Sequence, residues 1–416
     1  MSGCALALFG GTPVRSRPFP VHPIIGAGEK AAVLRVLDSG RLSTFHSNFL
    51  GGEHVQRFER QFADYHGVRH AVAVNSGTAA LHVAVAAAGV ERGDEVLVPS
   101  YTFTATASAV LMHQAIPVFV DVDPRTLCLD VEQAARLITP RTKAIVPVHL
   151  LGNVCAMESI VALAQAHGLA VIEDTAQAPG ASRAGRFAGT WGDAGAFSFQ
   201  ETKNLMTGEG GMLITNRDDL AERARLVRNH GEAWVAGKPR SYVADLLGWN
   251  YRMTELEAAI GSEQLARLDE WNARRRELAQ LLTERLPSAG LTPQEVDPGV
   301  THAYHIYGLR YDEVQTGVPR RAILEALRAE GVPASPGYPH PLYRNSLFQG
   351  HERGEYRRVY HPVAERLCSS EAIWLSVVRP PATPQDMQDI IGAFEKVWGQ
   401  MDQLREYARQ AEMAAR

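Results

Sequence analysis

Short apolar runs alternate with longer runs of helical period between residues 70 and 216. The short runs are continuously apolar, which is typical of strands covered by helices on both faces of a sheet. Strands that alternate with helices in this way predict a mostly parallel α/β sheet. The predicted strands are 70–76, 95–100, 117–123, 143–150 and 169–174, and the helices after the first four are 77–90, 104–115, 131–138 and 157–168.

The pattern changes along the rest of the chain. Two further strands are predicted at 194–200 and 210–216, and a long helical stretch over 253–286 begins at a capping box formed by Thr254 and Glu257. The length of this stretch and its charged second half indicate a bridge to a smaller α+β domain. We therefore predict an N-terminal segment with a large domain over 1–252, and the bridging helix with a small C-terminal domain over 253–416.

Composition narrows the class of protein. The 416 residues are 45% hydrophobic and 21% charged, and the formal net charge of −4 offers no basic surface for nucleic acid or an anionic membrane. The N-terminus lacks the features of a signal peptide and no run reaches about 18 apolar residues, so we expect a cytoplasmic protein with no membrane span. Four cysteines lie too far apart to predict a disulfide framework or a metal site: Cys4, Cys128, Cys155 and Cys368.

One lysine stands out in the stretch "FSFQETKNLMTGEGG" over 197–211. Lysine is scarce in this chain, and an arginine could fill an ordinary surface ion pair at Lys203 equally well. An amine, in contrast to a guanidinium, forms a Schiff base with a carbonyl, most widely to hold pyridoxal 5′-phosphate (PLP). Lys203 is therefore a candidate for binding this cofactor.

A PLP site makes three further demands, and the sequence offers residues for each. Asp174 at the end of a strand can pair with the ring nitrogen, Gly77 and Thr78 at a helix start can bind phosphate, and Tyr101 or Phe103 can cover the ring. Each has an ordinary alternative as a strand end, a helix cap or a core aromatic. All lie at the carboxyl ends of strands, however, and those ends share one edge of a parallel sheet.

With these residues identified, the chain resembles the DegT/DnrJ/EryC1/StrS family of PLP-dependent aminotransferases. The resemblance extends over "NSGTAAL", "VPSYTFTATASAV", "VIEDTAQA", "FSFQETKNLMTGEGGMLIT" and "LGWNYRMTELEAAIGSEQL". It implies the fold type I aminotransferase architecture, with a large α/β domain whose mostly parallel central sheet is flanked by helices and a smaller C-terminal α+β domain. It also implies a homodimer with shared active sites.

The resemblance assigns roles to single residues. Lys203 would bind PLP covalently and move protons, and Asp174 would pair with the protonated ring. Gln177 would orient the cofactor near its phenolic oxygen without titrating, and Phe103 would cover the ring in preference to Tyr101. The phosphate would be bound by Gly77, Thr78 and Ser198, with Asn250 reaching it from the partner subunit.

The opening stretch 6–20 and the late stretch 337–348 look most like the branch of the family that aminates keto-cyclitols such as scyllo-inosose, with L-glutamine as donor. The alternative is the branch that aminates nucleotide-linked keto sugars, usually with L-glutamate. His340 and Tyr343 are candidate substrate contacts, and a core or loop role is the alternative for each.

Other classes of protein fit the residues less well. A non-catalytic regulator of the same fold would not need both Lys203 and Asp174, and PLP dehydratases of this type carry His at the lysine position. A nicotinamide-dependent enzyme would need a glycine-rich fingerprint after the first strand, which the sequence lacks. An aromatising activity that forms aminohydroxybenzoate stays open.

Overall fold

The computed structural model describes residues 5–45, 47–232, 242–350 and 356–415. The strands are β1 (His70–Val74), β2 (Glu95–Pro99), β3 (Ile116–Val120), β4 (Thr142–Ile145), β5 (Ala170–Asp174), β6 (Ser182–Arg183), β7 (Arg186–Phe187), β8 (Ala194–Ser198), β9 (Gly211–Thr215), β10 (Leu291–Pro293), β11 (Val300–Thr301), β12 (Tyr307–Tyr311) and β13 (Ala372–Leu375). The helices are α1 (Ala27–Ser39), α2 (Glu53–His66), α3 (Gly77–Ala87), α4 (Ala105–Met112), α5 (Val131–Leu137), α6 (Met157–His167), α7 (Asp218–Arg228), α8 (Glu255–Leu265), α9 (Leu268–Arg285), α10 (Glu313–Thr316), α11 (Arg320–Ala329), α12 (Ser346–Gln349), α13 (Pro362–Arg366), α14 (Pro384–Trp398) and α15 (Met401–Ala415).

Seven strands form the central sheet, in the spatial order β1-β9-β8-β5-β4-β2-β3. Five neighbouring strands pair in parallel, in the order β8-β5-β4-β2-β3. Strand β9 runs antiparallel to both of its neighbours, β1 and β8. The expected mostly parallel sheet is therefore confirmed. Because all strands except β9 point the same way, their carboxyl ends meet at one edge of the sheet.

Helices cover both faces of this sheet, as the continuous apolar strands predicted. Along β2, Val96 and Val98 pack in the cluster that contains α3 and α4, whereas Leu97 between them packs in the cluster that contains α5 and α6. Successive side chains of a strand point to opposite faces, so a strand buried on both sides needs apolar residues at every position.

Two predicted elements differ from the structure. The strand predicted over 143–150 ends at Ile145, two residues before Pro147, which cannot donate a ladder hydrogen bond. The single helical stretch predicted over 253–286 is two helices, because Arg267 leaves helical geometry between α8 and α9. The predicted capping box is present: the Thr254 hydroxyl accepts from the Glu257 backbone N–H, and the Glu257 carboxylate accepts from the Thr254 N–H.

The two halves of this helical stretch pack on different parts of the molecule. Helix α8 packs against α1 and α2 beside the central sheet, whereas α9 packs against α14. The strands β10, β12 and β13 form a small three-stranded sheet, which α11 and α14 cover with an apolar cluster. The N-terminal segment also joins this cluster through Leu6, so it contacts the C-terminal part of the chain. The domain boundary at 252/253 stays a prediction.

In the described part of the chain, no helix combines the length and the apolar character that crossing a bilayer requires.

Candidate active site

A cavity of about 520 Å³ opens at the carboxyl edge of the central sheet. It lies between the ends of the parallel strands and residues of the C-terminal part of the chain, among them Tyr338 and Trp374. The structure brings most of the predicted site residues into its lining: Gly77, Thr78, Phe103, Asp174, Gln177, Ser198 and Lys203.

Asp174 ends β5 and is almost fully buried. Its Oδ2 accepts a hydrogen bond from the Thr106 hydroxyl at 2.8 Å, and its Oδ1 accepts one from the Ala176 N–H at 3.2 Å. Burial raises the pKa of this carboxyl above its usual value, although those two hydrogen bonds and the nearby Lys203 oppose the rise. An oriented, desolvated carboxylate of this kind is poised to pair with a cation in the cavity.

Lys203 follows β8 in a loop that is folded back on itself. The Phe199 N–H donates to the Gly210 carbonyl at 2.8 Å and the Glu201 N–H donates to the Gly208 carbonyl at 2.9 Å, which closes the loop around the lysine. Burial lowers the pKa of the Lys203 amine, and the attraction of Asp174 opposes that shift. The loop therefore presents an amine that loses its proton more readily than a surface lysine, as a nucleophile or general base must.

The turn from β1 into α3 forms a concave backbone cradle. Ser76 caps the helix by accepting from the Ala79 N–H, and α3 begins at Gly77. A Cβ at Gly77 would lie 2.6 Å from the Ser198 Cβ, so this position has room for backbone only. The unpaired N–H groups of a helix start, with the hydroxyls of Thr78 and Ser198 beside them, are suited to a phosphate.

The two aromatic candidates have different surroundings. Tyr101 is 1% exposed and packs in the core against Tyr338 and Trp374, whereas Phe103 lines the cavity with 61% of its surface exposed. A large exposed apolar ring at the mouth of a cavity is available to cover a flat ligand. The cradle, the carboxylate, the amine and this ring together fit PLP.

Gln177 is held in one orientation by two hydrogen bonds. Its Oε1 accepts from the Leu151 N–H at 2.7 Å, and its Nε2 donates to the Tyr338 hydroxyl at 3.2 Å. Tyr338 was missed by the sequence analysis, since it comes from a segment 161 residues further along the chain. The sequence pointed to Tyr338 only through its place in the stretch 337–348, which the family resemblance had singled out.

A second buried network lies behind the cavity and was also missed. The Glu173 side chain is fully buried, where it accepts from the N–H groups of Gly189, Trp191 and Gly192 and pairs with His149 Nε2 at 2.9 Å. Glu173 therefore fixes the turn that follows β7. Successive residues of a strand point to opposite faces, so Glu173 and its neighbour Asp174 are turned away from each other.

Three predicted residues lie elsewhere. His340 is exposed, and neither it nor Tyr343 is among the described residues that line the cavity. Tyr343 is buried beside Phe119, and its hydroxyl donates to Glu365 at 2.7 Å, so the structure favours the core role over substrate contact. Asn250 forms a bridge with Asn229 at the edge of the sheet, outside this chain's own cavity lining.

The fold and the cavity define a class: a fold type I PLP-dependent aminotransferase, with a lysine and a carboxylate at the carboxyl edge of a mostly parallel sheet. The chain belongs to the DegT/DnrJ/EryC1/StrS aminotransferase family, whose sequence profile matches residues 23–395.

Comparisons with individual proteins agree with this membership. The chain is 41% identical to the L-glutamine:2-deoxy-scyllo-inosose aminotransferase of Streptoalloteichus tenebrarius, over 96% of this chain and 99% of the relative. It is 38% identical to the spore coat polysaccharide biosynthesis protein SpsC of Bacillus subtilis, over 90% of this chain and 95% of that protein. The structure of S. venezuelae DesV in complex with a ketimine intermediate superposes with a TM-score of 0.80 at 35% identity, covering 89% of this chain and 94% of DesV.

Proposed function

We propose that this enzyme transfers an amino group from L-glutamine to a keto-cyclitol of the 2-deoxy-scyllo-inosose type. The observation that carries the proposal is 41% identity, over nearly the full length of both chains, to a relative named for that reaction. The cavity is compatible with it, because its volume of about 520 Å³ lies within the range of pockets that bind small molecules.

The side chains of the cavity supply the protein's part of the chemistry. When bound, PLP supplies a ring that takes up the electron pair released at a substrate carbon. Asp174 would keep the ring nitrogen protonated. The Lys203 amine would take a proton from the donor's α-carbon in the first half-reaction and supply one to the former carbonyl carbon of the acceptor in the second. The lowered pKa of Lys203 favours this role, because a base must be partly neutral near the working pH.

The remaining residues position the cofactor. Gly77, Thr78 and Ser198 would bind its phosphate, Phe103 would cover the ring, and Gln177 would orient it near the phenolic oxygen; all five residues line the cavity. In this proposal the active enzyme is a homodimer in which Asn250 reaches the phosphate of the partner's site.

Borohydride reduction tests the attachment of the cofactor. Reduction of the holoenzyme should fix the cofactor to the peptide that contains Lys203, and Lys203→Ala should remove both the label and the near-visible absorbance. Lys143, which is exposed on β4, serves as the internal control. A label on the Lys143 peptide would contradict the assignment.

A panel of acceptors tests the substrate. The pyridoxamine form of the enzyme, prepared with L-glutamine, should return to the aldehyde form fastest with 2-deoxy-scyllo-inosose. If a nucleotide-linked keto sugar restored the aldehyde form faster than 2-deoxy-scyllo-inosose does, the result would favour the other branch of the family. A protein whose aldehyde form L-glutamine does not convert, and whose pyridoxamine form no keto acceptor returns, would favour the non-catalytic alternative.

A further inference from the structure

Tyr338 lies on a segment that is fixed against the small sheet. The Ser335 N–H donates to the Trp374 carbonyl at 3.1 Å and the Trp374 N–H donates to the Ser335 carbonyl at 2.8 Å, which ties segment 335–338 to β13. Arg320 adds a hydrogen bond to the Pro336 carbonyl at 3.2 Å. The position of Tyr338 in the cavity wall is thus set by several backbone contacts.

Gly337 allows the final turn into the cavity. It has a φ of +74°, and a Cβ there would lie 2.8 Å from the Tyr101 hydroxyl and 3.1 Å from the Trp374 Nε1. The segment can approach these two aromatic residues so closely because this position has no side chain. Tyr338 then packs edge-on against Trp374, with ring centroids 4.8 Å apart.

The hydrogen bonds of Gln177 determine what the Tyr338 hydroxyl can do. The Gln177 Oε1 is used by the Leu151 N–H, so its Nε2 must face Tyr338 and donate to the phenol oxygen. A hydroxyl that accepts such a bond keeps its own proton for another acceptor. In the described parts of the chain, no acceptor is within hydrogen-bonding distance of that proton, and Tyr338 lines the cavity.

We propose that Tyr338 is a specificity-determining residue whose hydroxyl donates a hydrogen bond to a neutral oxygen of the keto acceptor, with Gln177 as the positioning residue that orients it. The inference rests on the proposed function and extends it. A polyol ring presents carbonyl and hydroxyl oxygens that accept such a bond. Burial raises the pKa of Tyr338, so the phenol stays protonated at neutral and moderately alkaline pH.

The two half-reactions share one site, but each can be measured by itself in single-turnover experiments on the holoenzyme. In Tyr338→Phe, kcat/KM of the pyridoxamine form for 2-deoxy-scyllo-inosose should fall about tenfold, mainly through a higher KM, as the loss of one hydrogen bond predicts. The half-reaction of the aldehyde form with L-glutamine should change less than about twofold. The matched control is Tyr307→Phe, which removes a buried hydroxyl bonded to Thr283 at 2.9 Å in the small sheet.

Acceptor analogues give a second readout that a structural role would not affect. With the wild type, one monodeoxy analogue of the acceptor should react about tenfold more slowly than the parent compound. With Tyr338→Phe, the same analogue should react as fast as the parent compound, because the variant has already lost the hydrogen bond that the analogue cannot form. Gln177→Leu should reproduce part of the effect on the acceptor.

Three outcomes would overturn the inference: equal losses in both half-reactions, no loss in either, or unchanged sensitivity of the variant to every deoxy analogue. If L-glutamine converts the wild type to the pyridoxamine form but no keto-cyclitol returns it to the aldehyde form, the result would instead contradict the proposed function. In that case the same comparison, made with the acceptor that does react, still decides the role of Tyr338.

Discussion

At the residue scale, the cavity holds an acid and an amine that burial pushes towards their neutral forms. The pKa of Asp174 is raised and that of Lys203 is lowered, in both cases mainly by desolvation, and each group partly offsets the other's shift. A buried carboxylate costs free energy unless a cation accompanies it. In the proposed enzyme the protonated cofactor ring is that cation, so Asp174 is costly without PLP and favourable with it.

This cost predicts the behaviour of Asp174→Asn. With the folded-state pKa raised, the contribution of Asp174 to stability is complete below about pH 4, the unfolded value, and is lost as the pH rises through the folded value. The cofactor-free variant should therefore be more stable than the wild type at pH 7, and the difference should shrink towards pH 4.

Urea unfolding of both cofactor-free proteins between pH 4 and 8 measures this difference. Addition of PLP should reverse the order of stability, and turnover by the variant should fall at least about a hundredfold, because the ring nitrogen loses its charged partner. Parallel pH profiles for the two proteins would contradict the prediction.

At the element scale, the loop between β8 and β9 holds Lys203 in place. Gly208 and Gly210 both have positive φ, +89° and +152°. They differ in their surroundings, since nothing lies within 4 Å of a Cβ at Gly208, whereas a Cβ at Gly210 would lie 2.5 Å from the Thr207 hydroxyl and 2.9 Å from the Met253 Cε. Gly208 is required for its backbone conformation alone. Gly210 is required both for its backbone conformation and because a side chain has no space there.

Gly210→Ala should therefore cost more stability than Gly208→Ala. The backbone strain alone should cost about 1–2 kcal/mol, and crowding should add about 1–3 kcal/mol at Gly210. Only Gly210→Ala should also weaken PLP retention clearly, because it displaces the loop that carries Lys203. Thermal unfolding and cofactor dissociation measure the two effects, and equal losses for both variants would show that space at Gly210 is unimportant.

At the scale of the whole molecule, the exposed apolar residues support the proposed dimer. Leu34 and Leu37 lie three residues apart on α1 and are 57% and 50% exposed, whereas Ala32 and Val36 on the opposite face are buried against α8. Neighbouring exposed leucines on a helix whose other face is already buried are typical of a protein interface. Because Asn250 lies outside its own chain's cavity lining, the proposed contact with phosphate requires a second subunit.

Hybrid dimers test whether Asn250 acts across subunits. A dimer of one Lys203→Ala chain and one Asn250→Ala chain has one intact site if Asn250 serves the partner, and none if it serves its own chain. The hybrid should therefore bind PLP as tightly as the wild type at one site of two. The two parent homodimers are the controls, and weak binding at both sites of the hybrid would contradict the shared site.

Much of the site could be predicted because parallel strands impose a common edge. Asp174 ends an apolar strand, and Thr78 and Phe103 each follow one. Strands that run in parallel bring their carboxyl ends together wherever they lie in the sheet. Lys203 could be singled out by its chemistry, because arginine cannot replace an amine that must form a covalent bond. Local sequence and strand direction were sufficient for these residues.

The remaining wall of the cavity depends on how the C-terminal part packs on the large domain. Tyr338 reaches Gln177 across 161 residues of sequence, and the superficially similar Tyr343, five residues later, is buried in another cluster. The break at Arg267 likewise follows from the packing of α8 and α9 on different parts of the molecule. The sequence by itself determined the sheet and the residues that follow its strands, since hydrophobic period and strand direction are local properties. Only the tertiary structure decided which tyrosine faces the cavity, because that depends on contacts between segments far apart in the chain.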